Sequence, residues 1–288
     1  MQSPELPSLA SLFWQAACKR TLKQSLPTLP GILFEANHVV IDPIHMQAYH
    51  QVIGWQEQHG IAPTYLQVMA FKLHLQLLTC RDFPFASMGL VHLTNRIEQF
   101  TALTTDMPFT LSCHAENLRS HKKGWLFDVV TIASVDNNRV WKSTSGNLFR
   151  CQNSMPAEGK KAHSEQEVES SSLIAQLNLP SSTGRRYARV SGDYNPIHLW
   201  PLTAKLLGFP RHIAHGMWSK ARCLSALSET EMGSCITQAC IIDVEFKRPL
   251  LLPARVNLVA GSHQHNLQFA LQDPSGKSLH LRGKITPL

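Results

Sequence analysis

Hydrophobic positions along this chain fall into one order of patterns that occurs twice. Gly60-Ile61-Ala62-Pro63-Thr64-Tyr65 opens an apolar run to Leu78, and His212-Ile213-Ala214-His215-Gly216-Met217 opens another to Leu227, the offset from Ile61 to Ile213 being 152 residues. In the second run Met217, Ala221, Leu224 and Leu227 recur at roughly helical spacing, and both runs predict a loop entering a buried helix. About 27 residues further on, each half predicts an alternating strand. The first is Leu90 to Ile97, and the second sets Ile242, Val244 and Phe246 against Asp243, Glu245 and Lys247.

A meander follows each strand. The first reads FTLSCHAENL, a turn at SHKKG, WLFDVVTIAS, a turn at VDNNR, then VWKSTSGNLF; the second reads ARVNLVAGSHQ, LQFALQ, a turn at DPSGK, then SLHLRGKI. The expected class is α+β, two long helices each wrapped by an antiparallel β-sheet and packed as a pseudo-dimer. Cys151 to Ser172 is polar with almost no large apolar residue, so a linker is expected there between domains at 1–150 and 173–288. With 288 residues and 43% hydrophobic content, cores of that size can be filled. Leu9 to Cys18 is short and apolar with basic residues after it, which predicts a terminal helix or strand and not a signal peptide.

Chemistry concentrates between Tyr187 and Leu224, centred on S-G-D-Y-N-P-I-H. Pro196 pushes Asn195 away from the α region, so Asp193, Asn195 and His198 are expected on a bent, non-helical loop where one carboxylate and one imidazole can converge on a small molecule. The same D-x-N-P string also serves as plain turn chemistry, with Asp and Asn bonding their own backbone. What shifts the balance is Ile213-Ala214-His215-Gly216-Met217, where a glycine opens the buried helix and lets backbone N–H groups approach a ligand oxygen.

Tyr187, Ser191, Gly192, Asp193, Asn195, Pro196 and His198, followed by Ala214, His215, Gly216 and Met217, resemble the hydratase motif of the MaoC-like family. That family comprises the (R)-specific enoyl-CoA hydratases and 3-hydroxyacyl-thioester dehydratases. The resemblance implies a double hotdog fold and reversible hydration of trans-2-enoyl thioesters to (3R)-3-hydroxyacyl thioesters, with no metal or other cofactor. Asp193 would be the base, and His198 would orient the water and share proton transfer. Asn195 would hold the loop, and the Gly216 N–H, at the positive end of its helix, would bind the thioester oxygen. His215, Tyr187, Trp218 and Arg248 are the expected substrate-binding residues. The implied substrate is an acyl-CoA or acyl carrier protein thioester, both anionic, which suits a net charge of +7.

The halves are chemically unequal. Tyr49, Val52, Gly54 and Trp55 align with Tyr187, Val190, Gly192 and Asp193, so tryptophan stands where the second half has its candidate base. The first domain is therefore expected to be a degenerate hotdog that accommodates the acyl chain. Asp42-Pro43-Ile44-His45 copies the letters of the motif but precedes Tyr49, and is expected to be a loop with a surface histidine. His263-Gln264-His265 reads as a strand-end turn rather than a metal site. Trp200 and Trp218 flank the motif and either line an acyl pocket or simply pack.

Other classes recede. No apolar run reaches membrane-span length, no basic arm with interleaved aromatics suggests nucleic acid, and no G-x-G-x-x-G or G-x-S-x-G is present. Arg185, Arg186, Lys247 and Arg248 are weak phosphate candidates. Seven cysteines without C-x-x-C spacing suggest a reduced, cytoplasmic setting, and a homodimer is a further expectation. A hotdog thioesterase and a non-catalytic acyl-thioester binding protein stay open; the intact Asp193, Asn195, His198 and Gly216 argue against a mere binder.

Overall fold

The computed structural model describes residues 7–22, 26–152, 171–263 and 266–288. Helix α1 (Leu9–Cys18) begins where the Ser8 side chain accepts from the Ser11 N–H, so the terminal segment is a helix. Strand β1 (Phe34–Val39) leads to α2 (Pro43–Ile53). The Asp42 carboxylate caps α2, accepting from the Ile44 N–H at 2.9 Å; Pro43 opens it and Gly54 closes it at φ 75°. The surface-loop expectation for Asp42 to His45 is thereby corrected, because an Asp cap followed by Pro starts a helix as readily as a turn. His45 is half-buried, with Nδ1 2.8 Å from the Tyr65 hydroxyl and Nε2 2.9 Å from the Val190 carbonyl oxygen, and ties the two halves together.

The first long helix is two pieces, α3 (Tyr65–Met69) and α4 (Phe71–Thr79), broken at Ala70. Strand β2 (Val91–Gln99) and the meander β3 (Phe109–His121), β4 (Gly124–Val135) and β5 (Asn138–Arg150) follow. Asp136 and Asn137, at φ 48° and 63°, form the positive-φ turn that the strand twist favours. The second half runs β6 (Ser172–Leu179), α5 (Thr183–Ser191), α6 (Pro201–Leu206), α7 (Gly216–Ser228) and β7 (Cys240–Phe246). It ends in the meander β8 (Ala254–His263), β9 (Asn266–Gln272) and β10 (Leu279–Pro287). Gln264 and His265, and nearly all of the expected linker, lie outside the described residues.

The ten strands among the described residues form one antiparallel sheet in the order β1-β3-β4-β5-β2-β7-β10-β9-β8-β6. Its centre is the pairing of β2 with β7, from Thr94↔Glu245 to Gln99↔Cys240, so equivalent strands of the two halves meet at a seam. Ile97, Ile242 and Val244 turn inward at the seam, while Arg96 bonds Asp243 at 2.7 Å from the other face. One apolar core runs through both halves. Helices α2 and α5 pack together, each ended by a glycine in the left-handed region, Gly54 and Gly192 (φ 74°). The arrangement is a double hotdog.

Candidate active site

Helix α5 must stop at Gly192, whose positive φ turns the chain into the loop that carries Asp193. Asp193 Oδ1 accepts from the Asn195 N–H at 3.1 Å, and Asn195 Oδ1 accepts from the Ile197 N–H at 3.4 Å, capping a single turn of 3₁₀ helix over Pro196–His198. The Asn195 amide oxygen is thus engaged within the loop itself. Gly184, in the first turn of α5, makes room for the result. A β-carbon there would stand 2.1 Å from the His198 carbonyl oxygen. Arg185 braces the loop by donating to the Leu199 carbonyl at 2.8 Å and stacking 4.0 Å from the Trp200 ring.

His198 is buried and its Nδ1 lies 2.9 Å from the Ile213 carbonyl oxygen, so Nδ1 carries the proton and Nε2 is left as an acceptor. Its ring stacks on His215 with centroids 3.7 Å apart. His215 Nε2 lies 3.0 Å from the Asp193 carbonyl oxygen, to which it donates, and 3.8 Å from Asp193 Oδ2. Burial, then the neighbouring His215, pushes the His198 pKa down to about 3, against the raising effect of Asp193. Burial likewise lowers His215 to about 4. Both imidazoles are thus neutral at pH 7, beside a carboxylate whose side chain is 31% exposed.

Gly216 follows as the first residue of α7, with His215 at the cap position. A β-carbon on Gly216 would stand 3.1 Å from the Phe246 ring, so the bare backbone is what lets the helix start sit against β7. Asp193, Asn195, His198, His215, Gly216 and Tyr187 all line one cavity of about 560 Å³. It continues past Phe71, Leu75 and Leu78 of α4 and Phe13 of α1, so the first half supplies an apolar wall. Its rim holds Lys247 and Arg248, and also Lys122, Lys123 and Arg150 of the first half.

Tyr187 is buried with its ring 4.9 Å from that of His215, and its hydroxyl shares a hydrogen bond with Tyr49. One expectation needs correction. Trp218 is buried away from the cavity and donates to the Val52 carbonyl at 3.2 Å, because that face of α7 meets the first half and not the ligand space. Trp200 is 53% exposed and stacks on Arg185, and Arg185 is itself taken up by the loop, so neither lines the cavity. Sequence reasoning missed Gly184, which has the look of an ordinary helix-start glycine, and the first-half cations. Lys122 and Lys123 sit in the SHKKG turn, where a solvated basic turn gives no sign that it faces a cavity.

Asp193, His198 and His215 also bring potential ligand atoms within 4.8 Å of one another. Two of the four ring nitrogens donate to carbonyl oxygens, so a cation there would have to take the remaining lone pair of each ring.

A hotdog seam, a carboxylate–imidazole pair on a bent loop and a glycine helix start that opens on the cavity suit the addition of water to, or its removal from, an acyl thioester. Residues 156–272 match the family model described as "MaoC like domain". The chain is 32% identical over 260 residues to 3-hydroxyacyl-thioester dehydratase X of Mycobacterium tuberculosis, covering 90% of this chain and 91% of that one. A crystal structure of that organism's HtdX superposes with a TM-score of 0.76 at 31% identity, over 89% of this chain and all of the other. A 39-residue stretch is 51% identical to the peroxisomal enoyl-CoA hydratase 2 of Arabidopsis thaliana, covering 14% of this chain and 13% of that one. The chain belongs to the MaoC-like dehydratase family.

Proposed function

We propose that this protein is a hydro-lyase of fatty acid metabolism, interconverting trans-2-enoyl and (3R)-3-hydroxyacyl thioesters at the Asp193–His198 loop. The observation that carries the reading is the proton inventory of the site. His198 Nδ1 is committed to Ile213, which leaves Nε2 as a neutral acceptor beside the Asp193 carboxylate. Together they hold and deprotonate one water on one face of the enoyl group. The Gly216 N–H at the start of α7 binds the thioester oxygen and steadies the enolate-like charge that develops there. In the reverse direction the same pair removes a proton from C2 and gives one to the departing hydroxyl.

The thioester acidifies C2 and the helix start is the electrophile, so these steps need no other group. The first half, residues 1–150, acts as a degenerate hotdog whose α4 and α1 house the acyl tail, with one active site per chain. Residues 151–172 link it to the catalytic half, 173–288. His215 and Tyr187 form the wall behind the reacting carbons, and Arg248 meets the anionic carrier, acyl-CoA or acyl carrier protein. A cytoplasmic setting and a homodimer complete the proposal.

The test follows crotonyl-CoA and long-chain 2-enoyl-CoA by loss of enoyl absorbance, with a thiol reagent present. The absorbance falls, no thiol appears, and an (S)-specific 3-hydroxyacyl-CoA dehydrogenase reduces no nicotinamide cofactor. Release of thiol would make the protein a thioesterase, and stoichiometric cofactor reduction would overturn the (3R) assignment.

A further inference from the structure

Lys220 is wholly buried, one turn into α7 from Gly216. Its ammonium donates to Asn95 Oδ1 at 2.6 Å, to the Asn95 carbonyl at 3.2 Å and to the Ile242 carbonyl at 3.1 Å, thus to both strands of the seam. No described carboxylate pairs with it. Asp243, the acid that acts on it most, is bound to Arg96 at 2.7 Å. Asn95 is held in turn by donating to Ser143 and Ser145, so the acceptor is fixed before the cation arrives.

A buried ion without a counter-ion costs several kcal/mol, and a neutral side chain of the same length would fill the site without that cost. The charge therefore asks for a use. Its place supplies one: the first turn of the same helix is where negative charge develops during the reaction, in a water-poor environment that transmits a field. His92, beside Phe246 on the cavity wall, already feels it, since Lys220 helps burial to lower that imidazole.

We propose that Lys220 is a positioning residue for the thioester-oxygen site. Its buried ammonium locks α7 to the seam and adds positive potential at the Gly216 N–H without touching substrate. This rests on the hydration reading above. Four residues of helix rise, about 6 Å, separate the two positions along α7, and a unit charge roughly 6–10 Å away at an effective dielectric of about 20 is worth on the order of thirtyfold in rate, or about 2 kcal/mol. Because the charge it opposes exists only in the transition state, kcat carries the effect and KM does not.

Two variants separate field from fastening, each assayed by crotonyl-CoA hydration and thermal melting. Lys220→Met removes the charge, and Asn95→Asp neutralises it while keeping its anchors. Both should lower kcat about thirtyfold with KM within about twofold, and Lys220→Met should melt close to wild type, because the lost bonds to Asn95 and Ile242 offset the relieved burial of charge. Burial holds the Lys220 pKa at about 7, with Asp243 and Cys240 of β7 and His92 of β2 facing it. Wild-type kcat should therefore fall as pH rises through that value, and Lys220→Met should lose this limb. Unchanged kcat in Asn95→Asp, or a loss in Lys220→Met that only follows a lower melting temperature, would reduce Lys220 to a staple. A wild type that leaves enoyl absorbance untouched fails the functional reading itself and takes this inference with it.

Discussion

Replacing Gly184 by alanine is the most direct way to ask whether loop placement controls the chemistry. The residue contacts no substrate space, and alanine is the better helix former by about 1 kcal/mol, so propensity alone predicts a stabilised protein. Packing predicts the opposite for activity. The new methyl would lie 2.1 Å from the His198 carbonyl oxygen and 3.1 Å from its carbon, both backbone atoms that cannot swing aside. Restoring ordinary contact takes a shift of about 1 Å in either α5 or the loop, and a misplacement of that size at a reacting group costs on the order of 10²-fold in rate. Overpacking of 1–3 kcal/mol against the propensity gain leaves stability lower by about 0–2 kcal/mol. Enoyl-thioester hydration and a urea melt on the same preparation give both numbers. A Gly184→Ala protein with wild-type kcat would refute the claim that α5 sets the position of His198.

Three further outcomes follow from the same geometry. Asp193→Asn and His198→Ala should each lower kcat by roughly 10²- to 10⁴-fold with the melt unchanged, and the double variant should lose little more than the worse single, since both act on one water; additive losses in steady-state kinetics would separate their roles. His50, His74 and His92 are held down to about 4 chiefly by burial, as are His215 at about 4 and His198 at about 3, so below pH 6.5 the unfolded chain takes up protons that the folded chain refuses. Stability should therefore be full above that pH and fall steadily toward pH 4, and a flat urea midpoint from pH 7 to 4.5 would count against these buried, neutral rings. Trp218→Phe should lower stability by about 1 kcal/mol through loss of its bond to Val52, with chain-length preference unmoved; altered selectivity across an acyl series would return Trp218 to the substrate wall.

Alternation and turn chemistry made the sheet legible because both act locally. Ile242, Val244 and the Asp136-Asn137 turn needed only their neighbours to declare a strand and a hairpin. The break at Ala70 was not legible, since alanine is the best helix former and both flanks are apolar. Asp193, Asn195, His198 and Gly216 were found by motif and do converge on one cavity. Trp218 was not legible, because it lies beside the motif in sequence but turns toward Val52, far along the chain. Lys220 reads in S-K-A-R-C as the polar face of a helix, and only the seam of the two halves closes over it.

The inequality of the halves comes down to an insertion. Tyr49 and Tyr187 are 138 residues apart, but Ile61 and Ile213 are 152 apart, so the second half spends 14 more residues between the end of α5 and the start of α7. The stretch that gains them holds the Asp193–His198 loop and α6. In the first half the chain crosses the same gap directly, and Trp55 seals it by donating to the Gly60 carbonyl at 2.9 Å. Pro63 and Thr64 then stand where His215 and Gly216 open α7, and Pro63 has no N–H to offer, while its carbonyl accepts from Trp141 at 2.8 Å. Thr64 is bound to Tyr49, whose ring lies 6.1 Å from that of Tyr187. At the positions that align with Asp193, His215 and Gly216, the first half thus sets Trp55, Pro63 and Thr64, each held by a bond within that half. On the proposed reading, a pseudo-dimer built this way sets one Asp193–His198 loop against a wall from the other half, an arrangement suited to delivering water to one face of a substrate.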